Sequence, residues 1–194
     1  MKDEFVLREK KILSLIEQEI ENGENMAAAV GHMAERMLLE EKGYTRDDIR
    51  TNVLFDVTLG AETIKSSLDI VVTIDHRNAM VIKCAAGSLA SRERHVVAAA
   101  RVFGVLPVPV AVVMDPMDAV ILDSMSGKVI AEGFDAIPSK ERLRLIITSR
   151  ELSPILPEKL EREKRVLLAF DAIKCCIPQG VEGGVAIGDN NPEL

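Results

Sequence analysis

Apolar residues recur at helical spacing over residues 3–21, with Phe5, Ile12, Ile16 and Ile20 on one side and Glu and Lys on the other. This pattern predicts an amphipathic helix closed by Asn22-Gly23. A second helix, residues 26–42, sets Val30, Met33, Ala34, Met37 and Leu38 on its buried side, and Gly43 suits a left-handed C-terminal end. After the polar stretch 44–48 the repeat changes to that of a strand. Val53, Phe55, Val57 and Leu59 face one way in a first strand, and Leu54, Asp56 and Thr58 the other. In the next strand Leu68, Ile70, Val72 and Ile74 form the apolar face, opposite Asp69, Val71 and Thr73. Asp75-His76-Arg77-Asn78 predicts a hairpin turn into a third strand, residues 79–85.

Ser91 is placed to cap a helix that runs to Phe103 and stops at Gly104. Val110–Met114 is apolar on both faces, the signature of a central strand covered from both sides. A fifth strand follows at 119–122, then a turn at Met125-Ser126-Gly127 and the apolar run Val129-Ile130-Ala131. Helices are expected at 140–149 and Pro157–Cys175, the latter with proline in its first turn. Residues 179–194 carry little to bury and are expected to form a flexible tail. The Gly180-Val181-Glu182-Gly183-Gly184 run lacks the Lys-Ser or Lys-Thr of a phosphate loop. The resulting order, helix, three-stranded meander, helix, two strands, predicts an α/β fold with a mixed central sheet flanked by helices and extra helices at both ends. A single domain over residues 1–178 is expected, with its core at about 26–135.

Composition narrows the function classes. A net charge of -7 disfavours a surface that coats phosphates generally, because nonspecific nucleic-acid affinity comes from Lys and Arg. With no Trp, one Tyr and five Phe there is little from which to build a base-stacking platform. Cys84, Cys175 and Cys176 have neither CxxC spacing nor a matching His pair, so buried reduced thiols are expected rather than a disulfide framework or zinc site. No apolar run approaches the roughly 18 to 20 residues that span a bilayer. Charges run through the first segment where a signal peptide has its apolar centre, so a cytoplasmic protein is expected.

The αβββαβ order, with "GYTRDDIRTNVLF", "SSLDIVVTI", "MVIKCAAGS" and "VAVVMD" in succession, resembles the N-terminal nuclease domain of type I restriction enzyme R subunits. More broadly it is similar to the PD-(D/E)XK, restriction endonuclease-like superfamily. The resemblance implies an acid on the second strand, a Glu-x-Lys on the third, and often a Glu on the preceding helix. On this chain these positions fall at Asp69, at Lys83 and Ala85, and at Glu35. Residues two apart on a strand share a side, so such an acid and lysine meet the second-strand Asp across the hairpin. Two carboxylates would then hold Mg²⁺ or Mn²⁺, which lowers the pKa of the attacking water. Here Lys83 stands where the Glu belongs. If Lys83 is instead taken as the motif lysine, the acid position becomes Val81, which cannot ligate a hard cation.

A nuclease-fold protein without cleavage is therefore expected, acting as a nucleic-acid-associated or protein-interaction module and needing no cofactor. One alternative is a Mg²⁺-dependent DNA endonuclease with a migrated acid, its metal held by Asp69, Glu93 and Asp56. The other is a structural partner protein with no nucleic-acid contact. Lys83, Arg92, Arg94, His95 and Arg101 form a candidate anion-binding patch, against the plainer reading of a solvated helix face. His32 lies three residues from Glu35 without a second such pair, and His76 is expected to face solvent. A homodimer through the helices at 3–21 and Pro157–Cys175 is expected, because a small core would not cover their apolar faces.

Overall fold

The computed structural model describes residues 25–175, so the expected helix at 3–21, Cys176 and the tail lie outside the described residues. Helix α1 occupies 25–40, with Val30, Ala34 and Leu38 buried at spacings of four, and Gly43 (φ +75°) ends its C-terminal turn as expected. Met33, placed on the buried side by its spacing, is 38% exposed. Strands β1 (Ile49–Leu59), β2 (Glu62–Ile74) and β3 (Arg77–Cys84) form an antiparallel meander. Asp75 and His76 both have positive φ, 48° and 63°, the geometry of the two-residue turns that match strand twist.

Helix α2 (Ala90–Val102) crosses over to β4 (Val110–Met114), which pairs parallel with β3. Ser91 lies inside the helix, not at its cap, and its hydroxyl donates to the Ser88 carbonyl. Strand β5 (Ala119–Asp123) follows, and the 129–131 run forms an additional edge strand, β6 (Lys128–Glu132). The sheet order is β1-β2-β3-β4-β5-β6. Helices α3 (Lys140–Thr148) and α4 (Pro157–Cys175) complete the described chain, with Ser139 capping α3 by accepting from Arg142 N–H.

The helices cover the sheet in two layers. Val30, Leu38, Leu143 and Ile147 of α1 and α3 pack on Ile70, Ile82, Val112 and Ile121. The second layer packs Val96, Ala100 and Leu167 of α2 and α4 on Val71, Val81, Val113 and Leu122. Strand β4 is buried on both faces for this reason. Helix α4 packs Val166, Leu167 and Leu168 with α2 and the sheet.

The β1–β2 hairpin departs from simple alternation. Ile70, Val72 and Ile74 belong to the first layer, whereas Leu68, expected on the same face, belongs to the second. On β1, Ile49 packs against the first layer and Val53, Phe55 and Val57 with the second. Both strands change face between Thr51↔Ile70 and Val53↔Leu68, at the position of Asn52 and Asp69. Asn52 makes the change by adopting φ +51°, which asparagine tolerates better than any β-branched residue. Asn52→Val should therefore lower stability by about 1–2 kcal/mol, while Asn52→Gly stays near the parent protein; urea unfolding of both variants checks this.

Candidate functional site

The face change sets Asp69 at the junction of β2, β3 and α1. Its Oδ2 accepts the Cys84 backbone N–H at 2.7 Å and lies 3.5 Å from Lys83 Nζ. Lys83 is 9% exposed and donates to both the carbonyl and the hydroxyl of Ser67, each at 3.1 Å. Its ammonium is thus held in place by Ser67 while its charge faces Asp69. Cys84 packs in the first layer, and a Cβ built at Gly31 would lie 3.9 Å from its sulfur, so α1 crosses close over the end of β3. Burial, reinforced by Asp69 and partly opposed by Lys83, pushes the Cys84 thiol up to about 12. It is a core thiol, protonated at neutral pH, as its alternation from Lys83 implied.

Glu35 reaches the same region. With His32 of α1 and Asn52 of β1 it lines a narrow cleft of about 80 Å³ that also exposes Asp69. Glu35 Oε1 lies 3.9 Å from Arg46 Nη1 at the cleft's rim. The helix acid and the sheet acid therefore share one opening. The third strand adds no carboxylate to it. Val81 is fully buried in the second layer opposite Val71, and Ala85 continues the pairing with β4 by donating its N–H to the Met114 carbonyl at 2.8 Å.

The migrated-acid set is not gathered at Asp69. Asp56 pairs with Lys65 at 2.7 Å toward the hairpin's far end. It lies four residues along β1 from Asn52, or about 13 Å at strand rise. Glu93 sits in the first turn of α2. Among the described residues no group of three or more His, Cys, Asp or Glu is placed to hold a metal ion. Of the residues lining the cleft, only Glu35 and Asp69 are carboxylates, and Lys83 supplies a positive charge beside Asp69.

The anion-binding patch is corrected more strongly. Arg101 is buried, donating from Nη1 to Glu163 at 2.8 Å, from Nε to the Ser124 carbonyl at 2.6 Å and from Nη2 to the Met125 carbonyl at 3.0 Å. Arg94 bonds the other Glu163 oxygen at 2.5 Å. His95 is buried, meets Asp171 at 3.1 Å and stacks on Phe170. Of the five candidates Arg92 and Arg94 are exposed, Arg94 keeping its outer side in solvent while it bonds Glu163. Lys83, His95 and Arg101 thus serve the interior, the last two because α4 returns two acids to the face of α2. Neither acid was singled out from sequence. Their spacing held the signal, since Glu163, Leu167 and Asp171 fall four apart and Leu167 is fully buried.

Burial pushes the Asp171 carboxyl up, but the hydrogen bond and charge of His95, with Ser66 and Lys83 nearby, hold it below its ordinary 3.8. Asp123 is likewise held low against burial, by Ser126 and Arg150, and Asp48 by Lys140 and Thr45.

A six-stranded mixed sheet between helical layers, with an acid on its second strand facing a lysine on its third, defines an α/β domain of αβββαβ order. Residues 29–138, more than half of the chain, match the type I restriction enzyme R protein N terminus family, and the chain belongs to it. The match ends just before α3, so both α3 and α4 lie beyond it. No curated protein and no solved structure matches the chain. No described helix is long and apolar enough to cross a membrane.

Two outcomes follow from the α2–α4 seam. Glu163→Leu strands the buried Arg101 guanidinium, so calorimetry or urea unfolding should show a loss of about 3–5 kcal/mol. Asp48, Asp123 and Asp171 have folded values below their unfolded ones, so their contribution is complete above about pH 5 and is lost as the pH falls through the lowered values. Asp171→Asn should lower Tm at neutral pH and flatten its decline on the acid side, read from thermal scans between about pH 7 and 2.

Proposed function

We propose that this chain is a restriction endonuclease-like domain of the PD-(D/E)XK type whose catalytic set has degenerated, and that it serves as a binding module. The observation that carries this reading is the Asp69–Lys83 contact at 3.5 Å beside a third strand that brings no carboxylate. An ammonium at that distance competes with a divalent cation for the same oxygen, and Cys84 N–H occupies that oxygen as well. Binding of partner protein is favoured over binding of duplex DNA. The chain carries -7, and Arg94 and Arg101 are both paired with Glu163.

Incubation with plasmid and Mg²⁺ or Mn²⁺, beside an Asp69→Ala control, should give no cleavage by either protein. The active-nuclease reading draws on Glu35 and Asp69 sharing one cleft. Nicking that vanishes in the Asp69→Ala control would establish that reading and overturn ours.

A further inference from the structure

At the end of the sheet away from Asp69, three connections enclose an open cleft of about 870 Å³. One is the Asp75-His76 turn leading into Arg77, the second is the α2–β4 loop, and the third is the linker between α3 and α4. The loop holds Val105 90% exposed and Leu106 44% exposed, side by side on the rim. Both residues line the cleft and so present apolar surface to whatever enters it. Arg77 is exposed and has no acidic partner among the described residues, whereas Arg150, also on the rim, is paired with Asp123. Linker residues 150–155 have no regular structure. Their main-chain groups make no backbone–backbone hydrogen bond among the described residues.

We propose that this cleft binds an extended peptide segment in which a carboxylate lies next to apolar side chains. This deepens the reading of the chain as a protein-binding module and names the chemistry of its partner. Each part of the ligand has a counterpart. The main chain of residues 150–152, which line the cleft and make no backbone–backbone hydrogen bond among the described residues, offers donors and acceptors to an extended backbone, as sheet edges do in peptide recognition. Arg77 offers a planar fork for the carboxylate. Val105 and Leu106 offer an apolar shelf. Nucleic acid fits less well, because one uncommitted arginine beside Glu151 cannot neutralise a run of phosphates.

The test is to pan the full chain against a phage-displayed library of random dodecapeptides and titrate the recovered peptides by fluorescence anisotropy. The expected peptides pair Asp or Glu with Leu, Ile, Val or Phe. Arg77→Glu, and separately Val105→Ser with Leu106→Ser, should weaken them by about tenfold or more. Both sites are on the surface, and circular dichroism should show each variant folded. Asp69→Ala should bind as the parent does. Recovery of no peptide, recovery of peptides without an acid, unchanged binding by Arg77→Glu, or displacement by a short DNA duplex would each overturn the proposal. Plasmid cleavage would instead sink the inactive-nuclease reading while leaving peptide binding in place, so the two failures are distinguishable.

Discussion

The carboxylate of Asp69 satisfies a backbone N–H and an ammonium at once, and much of the architecture follows from what places it there. Strands β1 and β2 change face together, so that the far part of the hairpin packs with α2 and α4 while the near part packs with α1 and α3. Without that change Asp69 would keep the alternation of Val71, whose side chain is sealed in the second layer. With it, Asp69 opens toward α1 and Glu35, yet stays close enough to the end of β3 to take the Cys84 N–H. A left-handed residue on β1 is what allows the turn of face.

Family membership and the local chemistry pull in different directions. The fold retains an acid on β2, a lysine on β3 and a glutamate on α1, all near one opening. If Lys83 is taken as the motif lysine, the acid position is Val81, a residue closed off beneath α2. Placing a carboxylate there would put a charge into a close-packed apolar layer, at a cost of several kcal/mol. The identity of residue 81 is therefore coupled to core packing.

What was legible in the sequence was whatever depends on local periodicity. Val110–Met114 reads as a doubly covered strand because both its faces are apolar, and it is one. The span of α4, Pro157–Cys175, is marked by its proline and its repeat. The opposition of Asp69 and Lys83 followed from counting along a hairpin whose turn residues are explicit. What stayed hidden depends on distant partners. Arg94 and Arg101 look like a solvated or anion-binding face until Glu163, more than sixty residues later, is brought against them. Leu68 looks like a neighbour of Ile70 until Asn52, on another strand, shifts the pleat. Strand β6 was missed because an edge strand needs no alternation to be stable, and here it is mostly exposed.

The seam between α2 and α4 also bears on the order in which the molecule is made. The residues that match the family leave the ribosome well before Glu163 and Asp171. Until those acids are synthesised, Arg94, His95 and Arg101 lack the α4 partners they bond in the folded domain, and Val96 and Ala100 lack part of their cover. One half of the nascent domain, the side bearing α1, closes earlier, once α3 has emerged. The other side closes only after α4 has been translated, which makes that helix the latch of biosynthesis.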